Sequence, residues 1–279
     1  MCGKKSKKNQ NIFLFIYLTY YIFFQNQWIQ NLCLCQSHSA FDLIQIINFG
    51  GRSIVYNAVV NKKPVIIKKT TCAREIKFLE LLKDVTGIVK YMRHFVDDEF
   101  VYIVLAKNPN TIDLYDYITK CEGKISETLA KNILKQLIFI LLECKSKKVL
   151  HNDIKETNIL INPLTYEITL IDFDAAEIWC DDFQYSRYLG TWQYSCPEWH
   201  IGTYSADNMC TWQIGVLMYS MLCGQLPFEC HSQIAHGPFS LNPITLMSKN
   251  ALDFLNKCLD KNKNSRIKLN QMLDDEYFI

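Results

Sequence analysis

The octapeptide His151-Asn152-Asp153-Ile154-Lys155-Glu156-Thr157-Asn158 constrains this chain more than any other stretch. It places a carboxylate, an ammonium and an amide within six positions, after a long amphipathic segment and before a short apolar run. A second apolar run then ends in Asp172-Phe173-Asp174. A lone H-x-D arises often by chance, but H-x-D-x-K-x-x-N followed at this distance by D-F-x does not. These groups suit phosphoryl transfer. Asp153 is the candidate base that orients a hydroxyl nucleophile, and Lys155 is the cation that meets the moving phosphoryl. Asn158 and Asp172 are hard oxygen donors suited to magnesium, which keeps waters and phosphates as its other ligands.

The flanking patterns divide into a strand-rich start and a helical remainder. Residues 42–60 read as two strands around Gly50-Gly51, and PVIIKK is a third strand after the turn at Asn61-Lys62-Lys63. A helix pattern begins near Ala73, with Ile76, Leu79 and Leu82 on one face. Two more strands flank Asp97-Asp98-Glu99. Further on, Leu129, Ile133, Leu137 and Leu141 recur at helical spacing, which predicts a buried amphipathic helix. NILIN and EITLI form a hairpin with Asp172 at its exit, and CTWQIGVLMYSMLCG is apolar almost all round, a core helix stopped by Gly224. NALDFLNKCLD and KLNQMLDDEYF close the chain as amphipathic helices. The fold class expected is α+β, with a small antiparallel sheet and one helix followed by a larger, mainly helical part.

The chain has 279 residues, 49% of them hydrophobic, which is ample for a core. A net charge of +2 implies no strong pull toward nucleic acid. The 12 cysteines are irregularly spaced, and Cys33 and Cys35 have no second close pair to complete a zinc site, so free buried thiols are expected. Residues 12–24 form an apolar run of 13 residues behind Lys4, Lys5, Lys7 and Lys8. That is short of the roughly 18 needed to span a bilayer. Two readings stand: a membrane-associating helix, or a segment packed on or appended to the body.

The motif and the segments DLYDYIT, VLHNDIKETNILI, LIDFD, GTWQYSCPEW and MLCGQLPFE, in that order, resemble eukaryotic-type protein kinases from about Phe41 onward. Within that superfamily they are most similar to the Pim serine/threonine kinases, with viral kinases of the baculovirus type as a second resemblance. The resemblance implies the two-lobed protein-kinase fold: an extension at 1–40, a sheet lobe at 41–106 and a helical lobe at 107–279. It implies ATP and Mg2+ as cofactors. It also implies protein substrates bearing serine or threonine, flanked by basic residues, and a cytoplasmic or nuclear setting with membrane association as the alternative. Lysine two positions after the aspartate is the serine/threonine-kinase pattern.

By the same resemblance, Lys68 binds the α- and β-phosphates. Its carboxylate partner is read as Glu75 rather than Glu80, because Glu75 has Leu79 four residues on and Glu80 has Asp84. The seven-residue separation from Lys68 is short but spannable at roughly 3.3 Å per extended residue, and leaves Glu75 near the helix N-terminus. The phosphate-covering loop falls on residues 48–55. Of the family's three glycines the middle one is kept, at Gly50, with Asn48 and Ser53 at the other two positions and Val55 closing the pattern. Ile66 stands where an alanine touches adenine. Ala106 and Asn108 offer hinge contacts, and Leu105 is the gatekeeper. Asp113 faces ribose or a basic substrate residue, or else caps the helix LYDYI. Thr191 links the catalytic aspartate to the substrate segment, and Glu198 pairs with Arg266.

Two departures bear on activity. Asn152 replaces the arginine that grips a phosphorylated activation segment, so substituting Ser186, Tyr185 and Tyr188 is expected to leave activity within a few-fold. Asp174 replaces the glycine of D-F-G and restricts the backbone there. An active kinase is the leading expectation, and a scaffold that keeps the fold without the chemistry is the alternative.

Overall fold

The computed structural model describes residues 41–49, 53–239 and 247–279. Gly50, Gly51 and the extension with its run at 12–24 lie outside the described residues. The chain divides into two units. The first takes in the described residues up to Ala73 together with Tyr91–Pro109, and the second is Arg74–Lys90 with Asn110–Ile279.

The first unit is an antiparallel sheet of β1 (Phe41–Phe49), β2 (Ser53–Val60), β3 (Lys63–Thr70), β4 (Tyr91–Val96) and β5 (Val101–Ala106), ordered β1-β2-β3-β5-β4. Asn61 and Lys62 both take positive φ, 49° and 63°, as a two-residue hairpin turn between twisted strands demands. Side chains alternate across the sheet. Tyr56, Ala58, Val60, Val65, Ile67, Tyr102 and Val104 fill one face as the core of this unit. The residues between them fall on the other face.

The second unit begins with α1 (Arg74–Leu81). Although α1 lies between β3 and β4 in sequence, it belongs to this unit. Arg74 donates to Ala176 O at 2.7 Å and pairs with Glu177 at 2.5 Å. Gly87 and Val89 then exchange hydrogen bonds with Leu170 at 2.7 and 3.0 Å. Gly87 has φ 85°, and a Cβ there would lie 2.5 Å from Ile140, so the tight return needs glycine.

β6 (Ile112–Asp113) leads into α2 (Leu114–Lys120), and α3 (Glu127–Ser146) starts at Ser126, whose hydroxyl accepts from Leu129 N at 3.3 Å. Ile133, Leu137 and Leu141 of α3 are buried as expected, whereas Leu129, in its first turn, is half-buried. β7 (Val149–Leu150), β8 (Ile159–Ile161), β9 (Ile168–Leu170) and β10 (Glu177–Ile178) are short. β6, β8 and β9 form one small sheet and β7 pairs with β10.

α4 (Pro197–Ile201) precedes α5 (Ala206–Cys223), the central helix, capped by Ser205 and ended by Gly224 at φ 71°. α6 (His231–His236) packs on α4, and α7 (Lys249–Cys258) packs on α5. The last segment departs from expectation. Residues 269–274 form a 3-10 helix rather than an α-helix. Asp275 breaks it by accepting from Tyr277 N at 3.0 Å and pairing with Lys257, which turns Tyr277 and Phe278 onto Phe254. Burying two aromatics there outweighs continuing the helix. Among the described residues the cysteines are free thiols, with Cys144, Cys196, Cys210 and Cys258 buried.

Candidate active site

The loop between β7 and β8 carries the octapeptide. His151 is buried and sets its start. Asp153 N donates to His151 Nδ1 at 3.3 Å, so the ring proton sits on Nε2, which donates to Ile171 O at 3.0 Å. Burial holds the His151 pKa low, so the imidazole is neutral. Its ring meets Phe173 edge-on at 4.6 Å. One residue thus ties the catalytic loop to the Asp172-Phe173 segment.

Asp153, Lys155 and Asn158 come together. Asp153 Oδ1 accepts from Thr191 N at 2.7 Å, and Oδ2 accepts from Asn158 Nδ2 at 3.0 Å. Lys155 Nζ lies 2.8 Å from Asp153 Oδ2 and donates to Thr191 Oγ1 at 2.7 Å. Asn158 Nδ2 also donates to Asp153 O at 2.8 Å. The Asp153 carboxylate is held by three donors, Thr191 N, Asn158 Nδ2 and Lys155 Nζ, on a loop anchored at both ends, which is the preorganisation an acid–base group needs.

Both protons of the Asn158 amide point at Asp153, which turns its carbonyl oxygen the other way. Ile171 N donates to Asn158 O at 2.9 Å, and this bond sets Asp172, the next residue, beside Asn158. An amide oxygen and a carboxylate are hard donors of the kind magnesium takes while keeping places for water and phosphate oxygens. Asp172 and Asn152 both adopt left-handed backbone, φ 64° and 68°. Non-glycine residues hold that conformation where the surroundings over-determine it, and such strain gathers at functional sites.

Glu75 is fully buried on α1, one residue from its N-terminal end, whereas Glu80 is exposed. Glu75 Oε1 accepts from Phe173 N at 3.1 Å, so the carboxylate also braces the residue after Asp172. Asp113 caps α2, its Oδ1 accepting from Asp116 N at 2.8 Å.

In the first unit, Val55 is directly opposite Lys68, and Ile66 directly opposite Leu105. By strand alternation these four share the sheet face away from the aromatic core. Lys69 faces the other way, over the Phe100 ring at 3.8 Å, and burial lowers its pKa. The two adjacent lysines are therefore not equivalent. Asn48 is paired with Val55 through β1. Ala106 ends β5 opposite Val65, Lys107 N donates to Pro64 O at 3.3 Å, and Asn108 is exposed just beyond.

Asn152 is buried in a neutral network. Its Nδ2 donates to Tyr204 Oη at 3.1 Å and to Ala175 O at 3.4 Å, and Tyr204 Oη donates to Arg187 O at 3.0 Å. This network corrects one expectation. Tyr185 Oη donates to Ile178 O at 2.5 Å and accepts from Cys180 N at 3.0 Å, and Tyr188 Oη donates to Thr191 O at 3.0 Å. Both hydroxyls are structural, so replacing either tyrosine breaks internal bonds. Ser186 alone of the three is an exposed hydroxyl whose replacement leaves these bonds intact. Sequence reading also missed Gln213, Tyr204 and the Glu156–Tyr194 pair. The signal available for Gln213 was a lone amide in an otherwise apolar helix.

A family model described as the protein kinase domain matches residues 45–278. The chain is 34% identical over 195 residues to serine/threonine-protein kinase pim-2 of Danio rerio, covering 69% of this chain and 62% of that one. It is 34% identical over 203 residues to serine/threonine-protein kinase prk-2 of Caenorhabditis elegans, covering 72% and 46%. A viral similarity is to serine/threonine-protein kinase 1 of African swine fever virus, 28% identical over 273 residues, covering 92% and 87%. The aligned chain thus spans less than two thirds of the length of the first two relatives. A family match over residues 45–278, from within β1 to the penultimate residue, over a fold of an antiparallel sheet and a helical unit, shows that this chain belongs to the protein kinase family.

Proposed function

We propose that this chain is a serine/threonine protein kinase that transfers the γ-phosphate of ATP to protein hydroxyls with magnesium. The observation that carries this reading is the closed set of contacts among Asp153, Lys155, Asn158 and Thr191. Asp153 orients the incoming hydroxyl and takes its proton late, as a largely dissociative transfer requires. Lys155, already beside Asp153, offsets charge on the moving phosphoryl. Thr191 holds the segment that follows at a fixed distance from both. Asn158 and Asp172 would hold magnesium, which supplies charge neutralisation at the phosphate oxygens. Lys68, Val55, Ile66, Ala106 and Asn108 are assigned to the nucleotide by resemblance, and Glu75 to the lysine.

Activity is proposed to be independent of activation-segment phosphorylation. Support comes from Asn152, whose amide ties the segment by neutral hydrogen bonds where a cation would need a phosphate. Peptide substrates with basic residues near the acceptor follow from the Pim likeness alone. A cytoplasmic or nuclear setting is proposed on the need for ATP. Among the described residues no helix is long and apolar enough to cross a membrane. Membrane association through residues 12–24 is tested by fractionating the full chain against one starting at Phe41.

The test of function is magnesium-dependent transfer from labelled ATP to a basic serine peptide, comparing wild type with Asp153→Asn. Transfer that Asp153→Asn reduces by about two to four orders of magnitude supports the reading. The scaffold reading is favoured by Ile66 and Asp174. Absence of transfer, together with no thermal shift on adding magnesium and ATP, would select it.

A further inference from the structure

We infer that Gln213 is a positioning residue for phosphoryl transfer, clamping the peptides on both sides of Asp153 and coupling them to the segment that carries Thr191. The inference rests on the kinase reading of the Asp153 site and adds to it a residue outside the loop. α5 is buried nearly all round, and Gln213 is fully buried within it. An amide in such a place must be satisfied by specific partners. Gln213 Oε1 accepts from Ile154 N at 3.3 Å, and Nε2 donates to Asn152 O and to Tyr188 Oη, both at 3.1 Å. A backbone N–H only donates and a backbone carbonyl only accepts, so one orientation of the amide fits.

The two backbone partners are the neighbours of Asp153 on either side. Asn152 is the residue in left-handed conformation, and the bond to its carbonyl holds that peptide in place. Tyr188 relays the constraint: its hydroxyl donates to Thr191 O, and Thr191 N donates to Asp153 Oδ1 at 2.7 Å. The ring therefore closes from the peptide of Asp153 through Gln213 and Tyr188 to the carboxylate of Asp153. Gly190 seals it. A Cβ there would collide with Asn152 O and lie 2.6 Å from Tyr188 Oη, so this corner has no slack.

The role is separable from core packing by replacing Gln213 with methionine, which is unbranched and of similar size, in the full chain. The expected result is a kcat lowered about 10- to 100-fold with the KM for ATP within about two-fold, since Asp153 is displaced and the nucleotide is not. Amide hydrogen exchange at Ile154 should quicken, because its acceptor is gone. Gln213→Glu supplies a second readout. Its carboxylate opposes Asn152 O, while its protonated form restores one donor, so its kcat relative to wild type should recover as pH falls. A packing role alone would lower stability without the split between kcat and KM and without the recovery.

A Gln213→Met enzyme with kcat within about two-fold of wild type, or with unchanged exchange at Ile154, would overturn the inference. If that variant does not fold, Tyr188→Phe keeps the clamp and breaks the relay. It should lose about three- to ten-fold in kcat, and an unchanged kcat would overturn the coupling. A wild-type chain with no transfer at all defeats the kinase reading instead, and Ile154 exchange still decides the clamp.

Discussion

Replacing Arg266 with methionine should destabilise the second unit severely. The Arg266 side chain is 0% exposed and that of Glu198 6% exposed. Its guanidinium donates to both Glu198 oxygens at 3.1 and 2.6 Å, to Asn208 O at 3.1 Å and, through Nε, to Asp260 O at 2.9 Å. The cation also lies 5.0 Å from the centroid of Trp212. Methionine replaces much of the stem, so the loss comes mainly from a buried carboxylate left without its partner. Removing one partner of such a pair costs about 3–5 kcal/mol. That is a large part of a total stability of about 5–15 kcal/mol. At about 2–4 °C per kcal/mol for a chain of this size, Tm should fall by roughly 6–20 °C.

The assay is a melt followed by far-UV circular dichroism for wild type, Arg266→Met, Glu198→Gln and the double variant Glu198→Leu with Arg266→Met. The double variant should lose less than Arg266→Met, because no charge is stranded. The pH dependence has a definite sign. Burial alone would raise the Glu198 pKa, but the hydrogen bonds and charge of Arg266 more than reverse this and hold it below the ordinary carboxylate value. A depressed folded pKa contributes stability that is complete above the unfolded value and lost as pH falls through the folded one. In Arg266→Met burial is opposed only by the Cys196 and backbone hydrogen bonds, so the folded pKa rises and stability increases as pH falls through it. The gap to wild type should therefore narrow on acidification. A Tm within about 2 °C of wild type at neutral pH, or a gap that does not narrow, would refute the reasoning.

Tyr194→Phe removes the donor to Glu156 Oε2, and Glu156 Oε1 already has no hydrogen-bond partner among the described residues. Urea unfolding should show a loss of about 1–3 kcal/mol. His200 has its pKa lowered to about 4, first by burial and then by His231 and Lys261. A depressed histidine pKa gives stability that is whole above the unfolded value and is lost as pH falls toward about 4. His200→Gln should flatten that part of the Tm-versus-pH curve, and an unchanged curve would count against it. Asp113→Ala should cost about 1 kcal/mol through the α2 cap, and a KM for ATP that stays constant would show that capping is its whole role. Ser186→Ala should leave peptide phosphorylation within about two-fold, and a large loss would defeat independence from loop phosphorylation.

Local pattern in the chain was enough to place the catalytic loop between a long helix and a hairpin, to set Asp172 at the hairpin exit, and to separate a strand-rich start from a helical remainder. These features depend on side-chain period and turn residues, which act over a few positions. That Glu75 rather than Glu80 is buried was legible for the same reason, since helical spacing decides which carboxylate shares a face with Leu79. The tertiary structure decided what no short-range pattern carries. Packing on Phe254 ended the last helix early, and the fold turned Tyr185 and Tyr188 into internal donors rather than exposed acceptors. It also brought Gln213 to a loop some 60 positions away, 61 from Asn152 and 59 from Ile154. A buried polar group is satisfied by whichever partner the folded chain sets within about 3 Å of it. That choice belongs to the three-dimensional arrangement, while the chemistry of the groups belongs to the sequence.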